Sequence, residues 1–221
     1  MYGVLRDATN TGSNDELITK FAAPLNIISN VSGYASDTIN LKRFASASDA
    51  QRWELEARII PQDSGTEWFI NNVVNAFYRT MFIRMPQLYI QNHGANGLSA
   101  KTPVGAPIDD PLPTLTLTNG YPAGTTTLSI TGIGSYELMA GEFVRFSGDS
   151  KVYVITSAGS TGLGFTIFPA LRKAKNIGDV MTYGDSVTMD CLYSLDNTFG
   201  VIYSDGILAD PGVVTFIEKL A

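Results

Sequence analysis

Glu54 and Glu56 stand two residues apart in "RWELEARIIP", the spacing that sets two carboxylates on one face of a β-strand. A carboxylate pair of this kind can flank a sugar bond and hydrolyse it. Arg52 and Arg58 share that face, however, and a surface lattice of ion pairs accounts for all four residues without a substrate. Asp109 and Asp110 are neighbours beside Pro111, and adjacency in an extended chain points them apart. His93 is the one histidine, in "QNHGANG", and no G-x-S-x-G elbow accompanies it to supply a nucleophile. Cys191 is the one cysteine and lies inside the alternating run "TMDCLYSL", where a thiol acts as a small apolar side chain. With a single Cys and a single His, zinc has no ligand set. "SGDSK" (147–151) carries only Asp149 and reads as a turn rather than a calcium loop. "GSTGLG" (159–164) lacks the Lys and helix of a phosphate loop and reads as a hairpin turn. Arg172 and Lys173 form a small basic rim after "FPAL", either a solvated turn or a contact for an acidic neighbour. The inventory assigns no catalytic, cofactor-binding or metal residues, and the chain reads as a non-enzyme.

The totals bound the class of protein. The chain has 221 residues, enough for a core without staples, and 44% of them are hydrophobic. The net charge is −6, and the fifteen Lys and Arg are scattered, so phosphates have no basic footprint to grip. One cysteine forms no internal disulfide, which suits synthesis in a reducing cytoplasm. The first residues, "MYGVLRDATNTGSNDE", lack the basic start and apolar stretch of a signal peptide, and no window is long and apolar enough to predict a membrane helix.

These residues are positioned mainly by strands. "DELITKFA" (15–22) could form one or two helical turns, and "PLNIISNVSGY" (24–34) reads as a strand ending in a turn. Residues 35–51 read as an extended loop or a hairpin. In "QRWELEARIIP" (51–61) the apolar Trp53, Leu55, Ala57 and Ile59 alternate with charge, which is the pattern of a half-buried strand. The period then changes. Ser64 and Glu67 make a capping box, and Phe69, Val73, Phe77 and Met81 recur at helical spacing, predicting a helix over about 66–80. "FIRMPQLYIQNHG" (82–94) returns to strand, and 95–113 is rich in Gly and Pro, a linker or loop. From there on, short strands separated by Gly turns predict a small barrel or sandwich over about 106–184. In "GEFVRFSGDSKVYVI", Phe143, Arg145 and Ser147 face one way and Val144 and Phe146 the other. Three strands in 187–220 are expected to rejoin the first part, whose own strands are too few to close a sheet. The predicted organisation is therefore a mainly β chain in two domains: 1–105 with 185–221, and an inserted 106–184.

The stretches "RWELEARIIP", "GLSAKTPVGAP", "LMAGEFVRFSGDSKVYVITSAG", "GLGFTIFPALR", "GDVMTY" and "VVTFIEKLA" occur in that order over about 50–221. Their order resembles the distal tail proteins, and related tail-tip or baseplate-hub proteins, of tailed bacteriophages. The resemblance implies a β-sandwich or barrel of tail-tube type with one flanking helix, plus an added β domain at 106–184. It implies a structural virion protein: a ring, of six copies in such families, joining the tail tube protein to the baseplate hub or tip. The DNA would pass through the lumen without specific binding, and an acidic wall would repel its phosphates. Such a chain would be made in the bacterial cytoplasm and end in the virion tail or baseplate, with no membrane insertion of its own. The rival reading is a carbohydrate-binding adhesion module of a phage tail, with exposed aromatic rings on 106–184. The segment 35–50 is a candidate arm toward a neighbouring ring.

Overall fold

The computed structural model describes residues 4–7, 19–37, 43–59, 81–85, 114–132, 138–157, 164–194, 202–204, 208–210 and 212–221. The described part is mainly β and antiparallel. Its only helical piece is a 3-10 turn at Gly184–Ser186.

Strands from both ends of the chain share one closed barrel. These are β1 (Val4–Asp7), β2 (Thr19–Asp37), β3 (Arg43–Ile59), β4 (Met81–Arg84), β12 (Thr188–Tyr193) and β15 (Val213–Glu218), in the order β1-β2-β3-β15-β12-β4. Period-two alternation explains the placement of β3. Trp53, Leu55 and Ala57 are buried, while Glu54 and Glu56 are half-exposed and Arg52 and Arg58 exposed. The inward phase of β15 (Val214, Phe216) and of β12 (Met189, Cys191, Tyr193) meets them, with Ile83 and Met85, in one apolar cluster. Closure leaves these short strands without free borders inside the wall.

Between β4 and β12 the chain builds a second sheet. Its strands are β5 (Leu115–Leu117), β6 (Thr127–Leu128), β7 (Ile130–Thr131), β8 (Phe143–Phe146), β9 (Val152–Ser157), β10 (Phe165–Phe168) and β11 (Val180–Thr182), ordered β6-β10-β9-β8-β11-β5-β7. The two outermost strands, β6 and β7, are separated by Ser129 alone, so the sheet rolls until its borders meet at one residue. Ser129 holds that corner by donating its N–H to Tyr121 Oη at 2.8 Å, while its carbonyl accepts from Thr118 N–H at 3.0 Å. Gly132 follows at φ 93°, and a Cβ there would lie 2.3 Å from the Thr114 carbonyl oxygen, so only glycine fits. The interior of this sheet is a second cluster, including Leu115, Leu128, Phe146, Tyr153, Phe165 and Met181.

Several expectations change on the structure. Thr19–Ala22, read as part of a helical turn, lie in β2. Pairing with Val4 and Leu5 of β1, and with β3, draws this segment into a ladder that its own short sequence does not announce. Of the three C-terminal strands expected to complete the first sheet, two do, β12 and β15. The third, "GVIYSDG", supplies β13 (Ile202–Ser204), which among the described residues pairs with β14 (Leu208–Asp210) in a separate two-stranded sheet. A short chain reversal makes that local pairing the easier one. The alternation in β8 holds, but neither of its faces is open. Phe143 packs in the barrel cluster, and Val144 and Phe146 pack in the second. The helix expected at about 66–80 and the linker at 95–113, with its boundary near 105, lie outside the described residues.

Candidate functional site

Two features stand out from the fold: a strand pair that outruns the barrel, and a dry junction where the second sheet meets the barrel end. The first comes from unequal strand lengths. β15 covers β3 only from Glu54 to Arg58, whereas β2 and β3 stay paired out to Asp37↔Arg43. At about 3.3 Å per residue, the stretch beyond the barrel reaches roughly 20 to 30 Å. Val31, Ser32, Gly33, Ser36 and Ala50 of this arm are exposed, whereas Gln51 at its base is buried. Among the described residues no strand pairs with the outer border of Arg43–Arg52. Two register shifts shape β2, one across Ala22–Asn26, where Pro24 has no N–H to give, and one at Val31–Gly33.

The second feature begins where β15 leaves β3. The ladder ends because the Glu218 carboxylate, not a backbone carbonyl, accepts the Trp53 N–H, at 3.0 Å. Glu218 also accepts from Val152 N–H at 2.8 Å and from Lys151 Nζ at 2.5 Å. Trp53 reaches across in the other direction, its Nε1–H donating to the Val152 carbonyl at 2.7 Å. Its ring stands edge-on to Phe143, centroids 5.5 Å apart, and lies 5.6 Å from Lys151 Nζ. The Lys151 and Glu218 side chains are 1% and 0% exposed. Burial lowers the Lys151 pKa below its ordinary value, more than the Glu218 charge raises it.

Around this pair lies a polar shell. Asp149 accepts from Lys151 N–H and from the Tyr153 hydroxyl, and it faces Lys175 and Arg172 at 3.7 and 3.8 Å. Burial raises the Tyr153 pKa and lowers that of Lys175. Arg145 forks onto both oxygens of Asp190 at 2.8 and 3.1 Å, a bidentate bridge from β8 to β12. Arg172 contacts the Ala221 carbonyl, and Ala221 N–H donates to Ser150 Oγ at 2.9 Å. The chain's last strand is thus tied to the second sheet by side chains of both signs.

Among the described residues, the carboxylates and the thiol singled out in sequence do not form one site, though Asp149 and Arg172 meet in the junction. Glu54 bonds Asn30 and Arg52, and Glu56 bonds Asn26, all within the outer face of β2 and β3. Cys191 is buried in the barrel core, and desolvation raises its pKa well above the ordinary thiol value. Asp149 sits in the junction network, not in a cation loop. Arg172 joins the same network, whereas Lys173 is exposed. His93, Asp109, Asp110 and 159–163 lie outside the described residues. No group of three His, Cys, Asp or Glu side chains among the described residues is placed to hold a metal ion. Two residues that sequence reasoning passed over, Lys151 and Glu218, form a fully buried ion pair. Glu218 carried a readable signal, since it shares the inward phase of Val214 and Phe216. No known family model matches the chain, and no curated protein matches it significantly.

Proposed function

We propose that this chain is a structural subunit of a phage tail. Copies of it form a ring at the distal end, joining the tail tube to the baseplate hub or tip and lining the DNA channel. The observation that carries the reading is the arm. A two-stranded ribbon that leaves a closed barrel with an unpaired border is a poor ending for a monomer, because such borders pair with other chains unless blunted. In a ring each border is covered by the next copy. The net charge of −6 is compatible with a lumen that lets phosphates slide past, and the sixfold count comes from the family resemblance alone. The adhesion reading needs a row of exposed rings. Among the described residues Phe168 is the one exposed large aromatic, and the Trp53 ring already lies edge-on to it.

The test shortens the arm symmetrically. Residues 34–46 are removed and Gly33 is joined to Ala47 through an Asn-Gly turn, which keeps the Gly33↔Ala47 register. The expected result is an intact monomer that no longer forms rings or decorates tube ends in electron micrographs. Rings that assemble as before would refute the arm's role. A wild-type chain that stays monomeric in the presence of tube and hub proteins would refute the ring.

A further inference from the structure

The Lys151–Glu218 contact has a chemistry that an ordinary surface ion pair lacks. Lys151 Nζ is 2.5 Å from Glu218 Oε2, so the carboxyl carbon is one bond beyond the contact, the neighbourhood of a near-attack geometry. The Val152 N–H holds Oε1 at 2.8 Å, where negative charge would gather in a tetrahedral adduct. The Trp53 N–H holds Oε2 at 3.0 Å, and the Trp53 ring lies 5.6 Å from Nζ at a site with almost no exposed surface. Desolvation of the Lys151 ammonium favours its neutral amine, the form whose lone pair can attack.

We propose that Lys151 and Glu218 condense to an isopeptide bond that joins the second sheet covalently to the barrel. The Nζ lone pair attacks Cδ and forms the C–N bond. The Cδ–Oε2 bond breaks, and Oε2 leaves as water carrying two of the three ammonium protons. Charge and atoms balance with no oxidant or co-reactant: one ammonium and one carboxylate become one amide and one water. The product amide keeps its oxygen on the Val152 N–H, and the Trp53 N–H that held Oε2 is left to the released water. Of the other pairs in the junction, Lys175 and Asp149 are 3.7 Å apart with Lys175 Nζ committed to the Ser147 carbonyl, and Arg145 on Asp190 offers no amine. The bond would bridge residues 67 positions apart and resist shear between the two sheets.

The test is the intact mass of the full chain, folded, incubated and then unfolded in acid. The expected wild-type mass is lower than the sequence mass by one water. Digestion should yield one branched peptide joining the Lys151 and Glu218 segments. Lys151→Met should show its full sequence mass, and Glu218→Gln should lose ammonia in place of water. A wild-type chain at full mass, with Lys151 Nζ acetylated by reagent in denaturant, overturns the proposal. So does a water loss that persists in Lys151→Met, which would place the dehydration elsewhere.

Discussion

Glu142 offers the sharpest single measurement of how this fold handles charge. It sits where the turn from Met139 enters β8 and is 2% exposed. One side-chain oxygen accepts the Met139 N–H at 3.2 Å, and the other has no hydrogen-bond partner. Burial pushes its pKa up to about 7 from an ordinary 4.5, against the smaller pull of the Met139 bond. The folded protein therefore binds this proton more tightly than the unfolded chain does. The neutral carboxyl's advantage is fully present below about pH 4.5 and fades as the pH climbs through 7. At about 1.4 kcal/mol per pH unit, the interval corresponds to about 3 kcal/mol of stability lost between pH 4.5 and 8. Glu142→Gln removes the charge and keeps the shape. Urea unfolding followed by tryptophan fluorescence would read the difference between variant and wild type, which cancels every other titrating group. The two proteins should agree near pH 4, and the variant should exceed wild type by about 3 kcal/mol at pH 8. Parallel stability curves for the two proteins across that range would show that Glu142 is hydrated or paired when ionised, and the reasoning would fail.

Two further predictions concern places where the backbone or core leaves no latitude. Gly132→Ala sets a Cβ 2.3 Å from the Thr114 carbonyl at a positive φ. It should cost at least about 2 kcal/mol, read as a lower urea midpoint; a neutral effect would mean that the β7 end moves freely. The Cys191 thiol should stay inert to an aromatic disulfide reagent in the native state at pH 8 and react at once in denaturant, because burial holds it protonated. Rapid labelling of the native protein would contradict a sealed barrel core.

What could be read without coordinates was whatever repeats over two residues. Trp53, Leu55 and Ala57 faced inward as their alternation required, and Phe143 and Val144 took opposite sides of β8. The end of β10 at Phe168, before a proline, was equally local. Period also exposed its own weakness in "DELITKFA", where a few apolar residues fit a helical turn as well as a strand. There the ladder with β1 and β3 decided the outcome.

The sequence by itself determined which faces of β3, β8 and β15 are apolar, and that Glu218 shares a phase with Val214 and Phe216. Only the tertiary structure decided what each face meets. Whether an outward residue such as Arg145 or Lys151 ends in water or in a dry junction depends on a partner many residues away, Asp190 or Glu218. Alternation is a property of neighbouring dihedrals and survives in any fold. Burial of a charge is a property of two surfaces brought together, and local spacing does not encode it.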